Sequence, residues 1–299
     1  MPETQRYCLA VIGGSGLYEI DGVEIDGREI VDTPFGHPSD AVIRAHTDVA
    51  DLLFLPRHGR GHRIPPSAIN YRANICALKR LGATHVLAIS AVGSLRQSIA
   101  PGHLVAVNQF LDRTLGRPRT FFDVEGVVAH VAFAEPVCPN LHIALVAATR
   151  EAERDTSVHN HGTLVVIEGP QFSTRAESES YRAMGADIIG MTALPEARLA
   201  REAELPYALL ALSTDYDCWH RGEAPVTADA VARVMRENVG KAKRIIPALA
   251  HRLPDPTASI AHRALDGAIM TSDAERTNAK DALRRLEWLR PFASATTDA

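Results

Sequence analysis

The sequence predicts an α/β fold, a sheet with helices packed on both faces. Two observations carry this. Short apolar runs of strand length alternate with longer stretches of helical periodicity through most of the 299 residues. Several of the helical stretches stop at a glycine, and several of the apolar runs end in small, hydroxylic or charged residues. The length suits one large α/β domain or two small ones.

The elements follow in order. "YCLAVIGG" (7–14) reads as a buried strand ending in glycines, and "DAVIRAH" and "DLLFLP" as two more. "SAINYRANICALKRLGA" (67–83) has helical periodicity and stops at Gly82. "THVLAIS" (84–90) and "GHLVAVNQF" read as strands, "NLHIALVAATREAER" as a helix and "GTLVVIEG" as a strand. "TRAESESYRAMGA" and "LPEARLAREAEL" are helical, and "PYALLALS" is a strand. A long amphipathic helix is expected over 227–253. "LPDPTAS" (253–259) marks a break, so residues 1–253 are expected to form the domain and 254–299 an appendage. Two Ala/Arg-rich helices are expected there, running to about residue 290, and then a polar tail.

Composition narrows the function. Hydrophobic residues make up 46% and charged residues 23%, an ordinary globular balance. The net charge is -4 and no Lys/Arg block stands out, so no nucleic-acid partner is expected. No apolar run approaches membrane-spanning length, and "MPETQRYCLAVIGG" lacks a basic segment followed by a long apolar one. A cytoplasmic protein without a membrane partner is expected. Cys8, Cys76, Cys138 and Cys218 are far apart and form no C-x-x-C pair, so reduced structural thiols are expected.

The chemistry-bearing residues sit where strands run out. "IGGSGLY" sets Ser15 among three glycines, a pattern that suits an anion and equally a plain tight turn. In "LPRHGRGH" (55–62), Arg57 and His58 make a charged fork for a phosphate. A surface arginine, a His58/His62 metal pair and a histidine phosphatase nucleophile are the competing readings. Glycines break the helix that a metal pair at this spacing needs, and a phosphatase R-H-G normally ends the first strand. "ISAVGSL" (89–95) ends a strand in small residues, with Ser90 and Ala91 placed to close an anion site. Phe172 in "EGPQFSTRAE" is a stacking plate or core, and Met191 in "GMTALPE" alone reads as core filler.

"STDYDCW" (213–219) places Asp215 and Asp217 at the end of a strand, two residues apart and so on one face of it. Two carboxylates on one face repel unless something donates to them or one holds a proton. A turn or helix-cap acid pair is the alternative. Together, the strand ends suggest one anionic ligand and one flat nitrogenous ligand.

"GGSGLY", "PRHGRGHRIPPSAINYRANICALKRLGATHV", "AVGSL", "PGHLVAVNQFLDRT", "EGPQFSTRAES" and "STDYDCW", in this order, resemble the methylthioadenosine phosphorylase branch of the purine nucleoside phosphorylases. The resemblance runs from about residue 8 to about 250. It implies a single α/β domain around a mixed, twisted, partly barrel-like sheet, assembled as a homotrimer. The implied reaction is phosphorolysis of 5'-methylthioadenosine to adenine and 5-methylthioribose 1-phosphate. Phosphate is then the co-substrate, with no metal and no bound cofactor. Phosphorolysis of 6-oxopurine nucleosides or methylthioinosine is the rival within the family, although such a site is expected to carry Asn where this chain has "DYD". By motif, Ser15, Arg57, His58, Ser90, Ala91 and Thr192 fall at the phosphate. Phe172, Met191, Val226 and Val231 fall around the nucleoside, and His130 falls where a residue reaches a neighbouring subunit's site. Asp217 would accept from the purine amino group and Asp215 would protonate N7, with the proximity of the two acids raising one pKa. Two departures stand out: Ser15 takes the place of a common threonine, and Gln171 stands where arginine is frequent.

Overall fold

The computed structural model describes residues 6–14, 20–220 and 228–293. Its strands are β1 (Tyr7–Gly13), β2 (Glu24–Glu29), β3 (Val42–His46), β4 (Ala50–Pro56), β5 (His85–Ser94), β6 (Leu104–Val107), β7 (Gln109–Arg113), β8 (Val158–His159), β9 (Thr163–Ile167), β10 (Ile188–Gly190) and β11 (Tyr207–Asp215). Its α-helices are α1 (Tyr71–Arg80), α2 (Pro139–Ala152), α3 (Arg175–Ala183), α4 (Ala193–Glu202), α5 (Ala228–Ala250), α6 (Asp273–Arg276) and α7 (Lys280–Leu286).

All these strands join one mixed sheet, which branches at β5 and does not close. β4, β1, β5 and β11 run parallel in that order, with Leu9 opposite His85 on one side of β5 and Tyr207 opposite Val86 on the other. Beyond the end of β1, the tip of β5 pairs antiparallel with β10, Ser94 opposite Ile188. The carboxyl ends of the parallel strands therefore face a gap that opens where β1 stops, the usual place for a ligand in such sheets.

The strand alternation divides the core. Ala10, Ile12, Leu53, Leu55, Val86 and Ala88 pack on one face with α1 and α4 residues such as Ile75, Leu78 and Leu199. Leu9, Val11, Leu52, Phe54, Leu87 and Ile89 pack on the other with Leu141 and Leu145 of α2 and Ile245 and Leu249 of α5. Successive strand residues point to opposite faces, so one apolar run feeds both layers.

Local chemistry sets the helix ends. The Asn70 side chain accepts from the Ala73 N–H at the start of α1, and Lys79 and Arg80 lie in its last turn, where the helix dipole favours cations. Thr174 and Glu177 form a capping box at the start of α3. Strand β2 (EIDGRE) is nearly all exposed and polar, an edge strand with no apolar signature to announce it.

Beyond residue 253 the chain forms shorter helices than the two expected. The stretch around Ile269 is drawn into a bridge with Ala129, and the Met270 N–H donates to the Val128 carbonyl at 2.8 Å. Extended pairing there excludes a helix through the same residues. Leu265, Leu286 and Phe292 join the core beside α1 and α4, and Arg290 pairs with Glu204 at 2.7 Å and Asp266 at 2.6 Å.

Candidate active site

The gap at the strand ends is a cavity of about 330 Å³, large enough for a small organic ligand. Arg57 and His58 reach it from the end of β4, Ser90, Ala91 and Gly93 from β5, Met191 and Thr192 from beyond β10, and Asp215 and Asp217 from β11 and its following turn. Phe172 lines the mouth and is 56% exposed.

Arg57 anchors one end. Its Nε and Nη2 donate to Glu196 at 2.8 and 3.0 Å, Nη1 donates to the Ile89 carbonyl at 3.0 Å, and Nη2 also donates to the Ile12 carbonyl at 3.1 Å. A guanidinium has five N–H groups, so these bonds leave one, on Nη1. Burial pulls the Arg57 pKa down, and the Glu196 carboxylate more than offsets that, holding it above its ordinary value. Arg57 is a rigid, neutralised donor here rather than a free charge.

His58 behaves differently. Burial lowers its pKa to about 4, with Arg57 and His62 adding to the effect and the Ile64 carbonyl opposing it. Its Nδ1 lies 2.8 Å from that carbonyl. A carbonyl only accepts, so Nδ1 carries the proton and Nε2 of the neutral ring is an acceptor. His62 stacks on His58, ring centroids 4.2 Å apart, and also lines the cavity. Among the described residues no cluster of three or more His, Cys, Asp or Glu side chains could hold a metal ion. The Ser90 and Thr192 hydroxyls sit 3.5 Å apart beside this end.

The two aspartates occupy the other end, three residues along β5 from Ser90, a distance of about 10 Å at the rise of a strand. They are not two residues of one strand face, as the spacing alone predicts. The β11 register shifts between Ser213 and Asp215, the strand ends at Asp215, and Asp217 lies in the turn beyond. The Asp217 N–H donates to Asp215 Oδ1 at 2.9 Å, and the Thr214 hydroxyl donates to Asp215 Oδ2 at 2.7 Å. The turn-forming role and a place in the cavity therefore coexist in one residue. Asp217 is buried and accepts the Ser178 hydroxyl at Oδ2, 2.5 Å away. Burial raises its pKa, and the Ser178 hydroxyl and the Cys218 N–H pull it partly back. The cause of the rise is desolvation, where the sequence pointed to repulsion between the acids. Gly93 lies beneath both: a Cβ there would stand 3.1 Å from Asp215 Oδ1 and 3.4 Å from the Asp217 Cβ.

The wall between the ends is apolar. Met191 packs against Gly169, whose φ of 65° suits only glycine well and where a Cβ would meet the Met191 sulfur at 2.5 Å. Arg117 ties this wall together: Nη1 donates to the Met191 and Leu194 carbonyls at 2.7 and 2.9 Å, and Nη2 to the Glu168 carbonyl at 2.7 Å.

Nine expected residues thus meet in one cavity: Arg57, His58, Ser90, Ala91, Phe172, Met191, Thr192, Asp215 and Asp217. Ser15 and Val226 lie outside the described residues, as does the side chain of Val231. His130 is exposed and is not part of this chain's cavity lining, and Gln171 is exposed. Sequence reasoning missed Glu196, Ser178, Arg117 and Gly93 as supports of the site, and His62 as part of its lining.

A model of the phosphorylase superfamily matches residues 9–251. The S-methyl-5'-thioadenosine phosphorylase of Geobacter sulfurreducens is 49% identical over 267 residues, covering 89% of this chain and 92% of that one. That of Hyperthermus butylicus is 54% identical over 247 residues, covering 82% and 88%. A methylthioadenosine phosphorylase sourced from an Antarctic soil metagenomic library superposes with a TM-score of 0.88 at 44% identity, covering 95% of this chain and 99% of that one. A variant of the adenosine/methylthioadenosine phosphorylase of Schistosoma mansoni, in complex with methylthioadenosine, gives a TM-score of 0.77 at 37% identity, covering 95% and 97%.

Proposed function

The chain belongs to the phosphorylase superfamily, and from that premise we propose how its cavity works. The enzyme splits 5'-methylthioadenosine with inorganic phosphate into adenine and 5-methylthioribose 1-phosphate. The observation that carries this reading is the polarity of one cavity: a guanidinium and hydroxyls at one end, two carboxylates at the other and an apolar wall between.

Phosphate takes the Arg57 end. It receives the remaining Nη1 N–H of Arg57 and the hydroxyls of Ser90 and Thr192, with the Ala91 backbone and Ser15 closing the site. Neutral His58 offers Nε2 as an acceptor for a P–OH, which suits a protonated phosphate. The ribose lies over Met191, and the purine passes beside Phe172 to the aspartates. Val226 and Val231 are assigned to the alkylthio group. As the glycosidic bond breaks, electrons flow into the purine and N7 becomes basic. Asp215 supplies or shares the proton there, and Asp217 accepts from the 6-amino group. The anomeric carbon gains positive charge, which the bound phosphate stabilises and then captures. Phosphate is the co-substrate, and the reaction needs no metal or organic cofactor.

Incubation with 5'-methylthioadenosine, with and without phosphate, tests this by adenine release. Release only with phosphate is expected; none, or equal release without phosphate, overturns the reading.

The assembly we infer is a homotrimer in the cytoplasm, with His130 entering a neighbouring subunit's site and no nucleic-acid or membrane partner. The resemblance supports the trimer, as does the exposure of His130 away from its own chain's cavity. Among the described residues no helix is long and apolar enough to cross a membrane. A sedimentation mass of one chain with full activity would remove the trimer.

A further inference from the structure

Helix α3 has no apolar stripe to explain its place on the molecule. Across RAESESYRA a single residue is buried, and it is Ser178. A helix on a globular surface normally buries a stripe of hydrophobics. Here the apolar contact comes from the half-buried Tyr181, which packs against the cluster of Leu95, Val165 and Ile189, and polar grips add to it. The Arg175 Nε donates to the Cys218 carbonyl at 3.3 Å. The Arg182 Nε donates to the Leu95 carbonyl at 3.0 Å, and its guanidinium lies 3.7 Å from the centre of the Trp219 ring. That placement brings the Ser178 hydroxyl to Asp217, donating to Oδ2 at 2.5 Å.

We propose that Ser178 is a positioning residue for base selection, holding Asp217 as an acceptor and so favouring a 6-amino over a 6-oxo purine. This rests on the phosphorolysis reading above. An ionised carboxylate only accepts, so it pairs with an amino group and opposes a 6-oxo oxygen. A protonated carboxyl donates as well and tolerates the oxo group. In a buried site the balance between the two forms depends on what donates to the carboxylate.

The groups facing Asp217 make Ser178 the adjustable one. Asp215 comes from the end of β11, Cys218 from the same turn and Tyr181 from α3. From β5, Gly93 lies beneath it. Arg175 donates to the Cys218 carbonyl in the turn that carries Asp217. Burial pushes Asp217 toward its protonated form, and the Ser178 hydroxyl is the first of the two hydrogen bonds that oppose it.

The experiment compares wild type, Ser178→Ala and Ser178→Cys. It reads kcat/KM for methylthioadenosine and methylthioinosine over a pH series, thermal midpoints, and calorimetric binding of adenine and hypoxanthine. Ser178→Ala is expected to lose about tenfold or more on the amino nucleoside, the worth of a hydrogen bond to a charged group. It should lose less on the oxo nucleoside, and the pH at which amino-purine turnover rises should move upward. Ser178→Cys, a weaker donor, should fall between. Equal losses on both nucleosides with an unmoved pH limb would reveal a structural serine and overturn the proposal. The base-binding measurement needs no turnover: an unchanged adenine-to-hypoxanthine preference in Ser178→Ala overturns the proposal even with an inactive wild type. Loss of phosphate-dependent release by the wild type strikes the phosphorolysis reading instead.

Discussion

Arg57 and Glu196 meet as a two-bonded ion pair, Nε to Oε2 at 2.8 Å and Nη2 to Oε1 at 3.0 Å, with both side chains almost fully out of solvent. The Tyr207 hydroxyl donates to the same Oε1 at 3.0 Å. The planar guanidinium matches a carboxylate on one edge and so fixes the direction of the other. Glu196 thereby aims Arg57 at the cavity while cancelling most of its charge.

Arg57→Ala is therefore expected to do two things. It strands a buried carboxylate, which lowers stability by about 3–5 kcal/mol. It also weakens phosphate far more than purine, by roughly ten- to a hundredfold in apparent affinity, because a charge-assisted donor is lost. Urea unfolding reads the first effect. The phosphate KM beside the adenine Kd, taken well below the unfolding midpoint, reads the second. An unchanged phosphate KM would move the anion site elsewhere.

His85 tests the pH dependence of folding away from the cavity. Its Nε2 lies 3.0 Å from the Pro254 carbonyl, and burial lowers its pKa from 6.5 to about 4. The unfolded chain takes up a proton near 6.5 that the folded chain refuses until about 4. The contribution of neutral His85 is whole above pH 6.5 and is lost as pH falls through that window, up to about 3 kcal/mol. His85→Gln should flatten this part of the stability profile. Glu202, raised to about 7 by burial, acts with the opposite sign, but it is present in both proteins and drops out of the difference. Parallel wild-type and variant profiles between pH 4 and 6.5 would count against the assignment.

Gly93→Ala probes the floor under the aspartates. The added methyl would stand 3.0 Å from the Ile189 Cγ2 and 3.1 Å from Asp215 Oδ1, so the carboxylate must shift. Overpacking of this kind lowers stability by about 1–3 kcal/mol, while a displaced catalytic group lowers kcat/KM by about tenfold or more. Unfolding and turnover measured on one preparation separate the two. Full activity would show that Asp215 needs no exact seat.

The parts of this molecule that were legible in the sequence are the ones written in local pattern. Apolar runs such as Leu9–Ile12 and Leu52–Leu55 announce strands because burial on both faces leaves only hydrophobics. Arg57, His58, Asp215 and Asp217 announce themselves by standing at strand ends or within two residues past them. The supports are written in partners instead. Glu196 is 139 positions from Arg57, and within "LPEARLAREAEL" it looks like any solvent-facing helix acid. Ser178 belongs to a helix in which no other residue is fully buried and whose sequence carries no apolar stripe, so nothing local marks it as the buried one. The register shift between Ser213 and Asp215 is equally silent, because a bulge is set by the partner strand.

The aspartate pair permits the sharpest test of the reaction. Asp217→Asn replaces an acceptor-only carboxylate with an amide that can present its NH₂ to a 6-oxo oxygen. The Ser178 hydroxyl can still donate to the amide oxygen, so the variant keeps its support from α3. Activity on methylthioadenosine should fall and the relative activity on methylthioinosine should rise. A polar mismatch in a closed site changes kcat/KM by ~10²-fold or more, enough to move the ratio visibly. Asp215→Asn should differ, because Asp215 is held by the Thr214 hydroxyl and the Asp217 N–H. An amide there still forms the turn but has no acidic proton to pass to N7, so amino-purine turnover falls without a gain on the oxo nucleoside. The measurement is kcat/KM for both nucleosides in wild type and both variants. An unchanged amino-to-oxo ratio in Asp217→Asn would mean that this carboxylate does not read the base, leaving the pair only its work in closing the turn after β11.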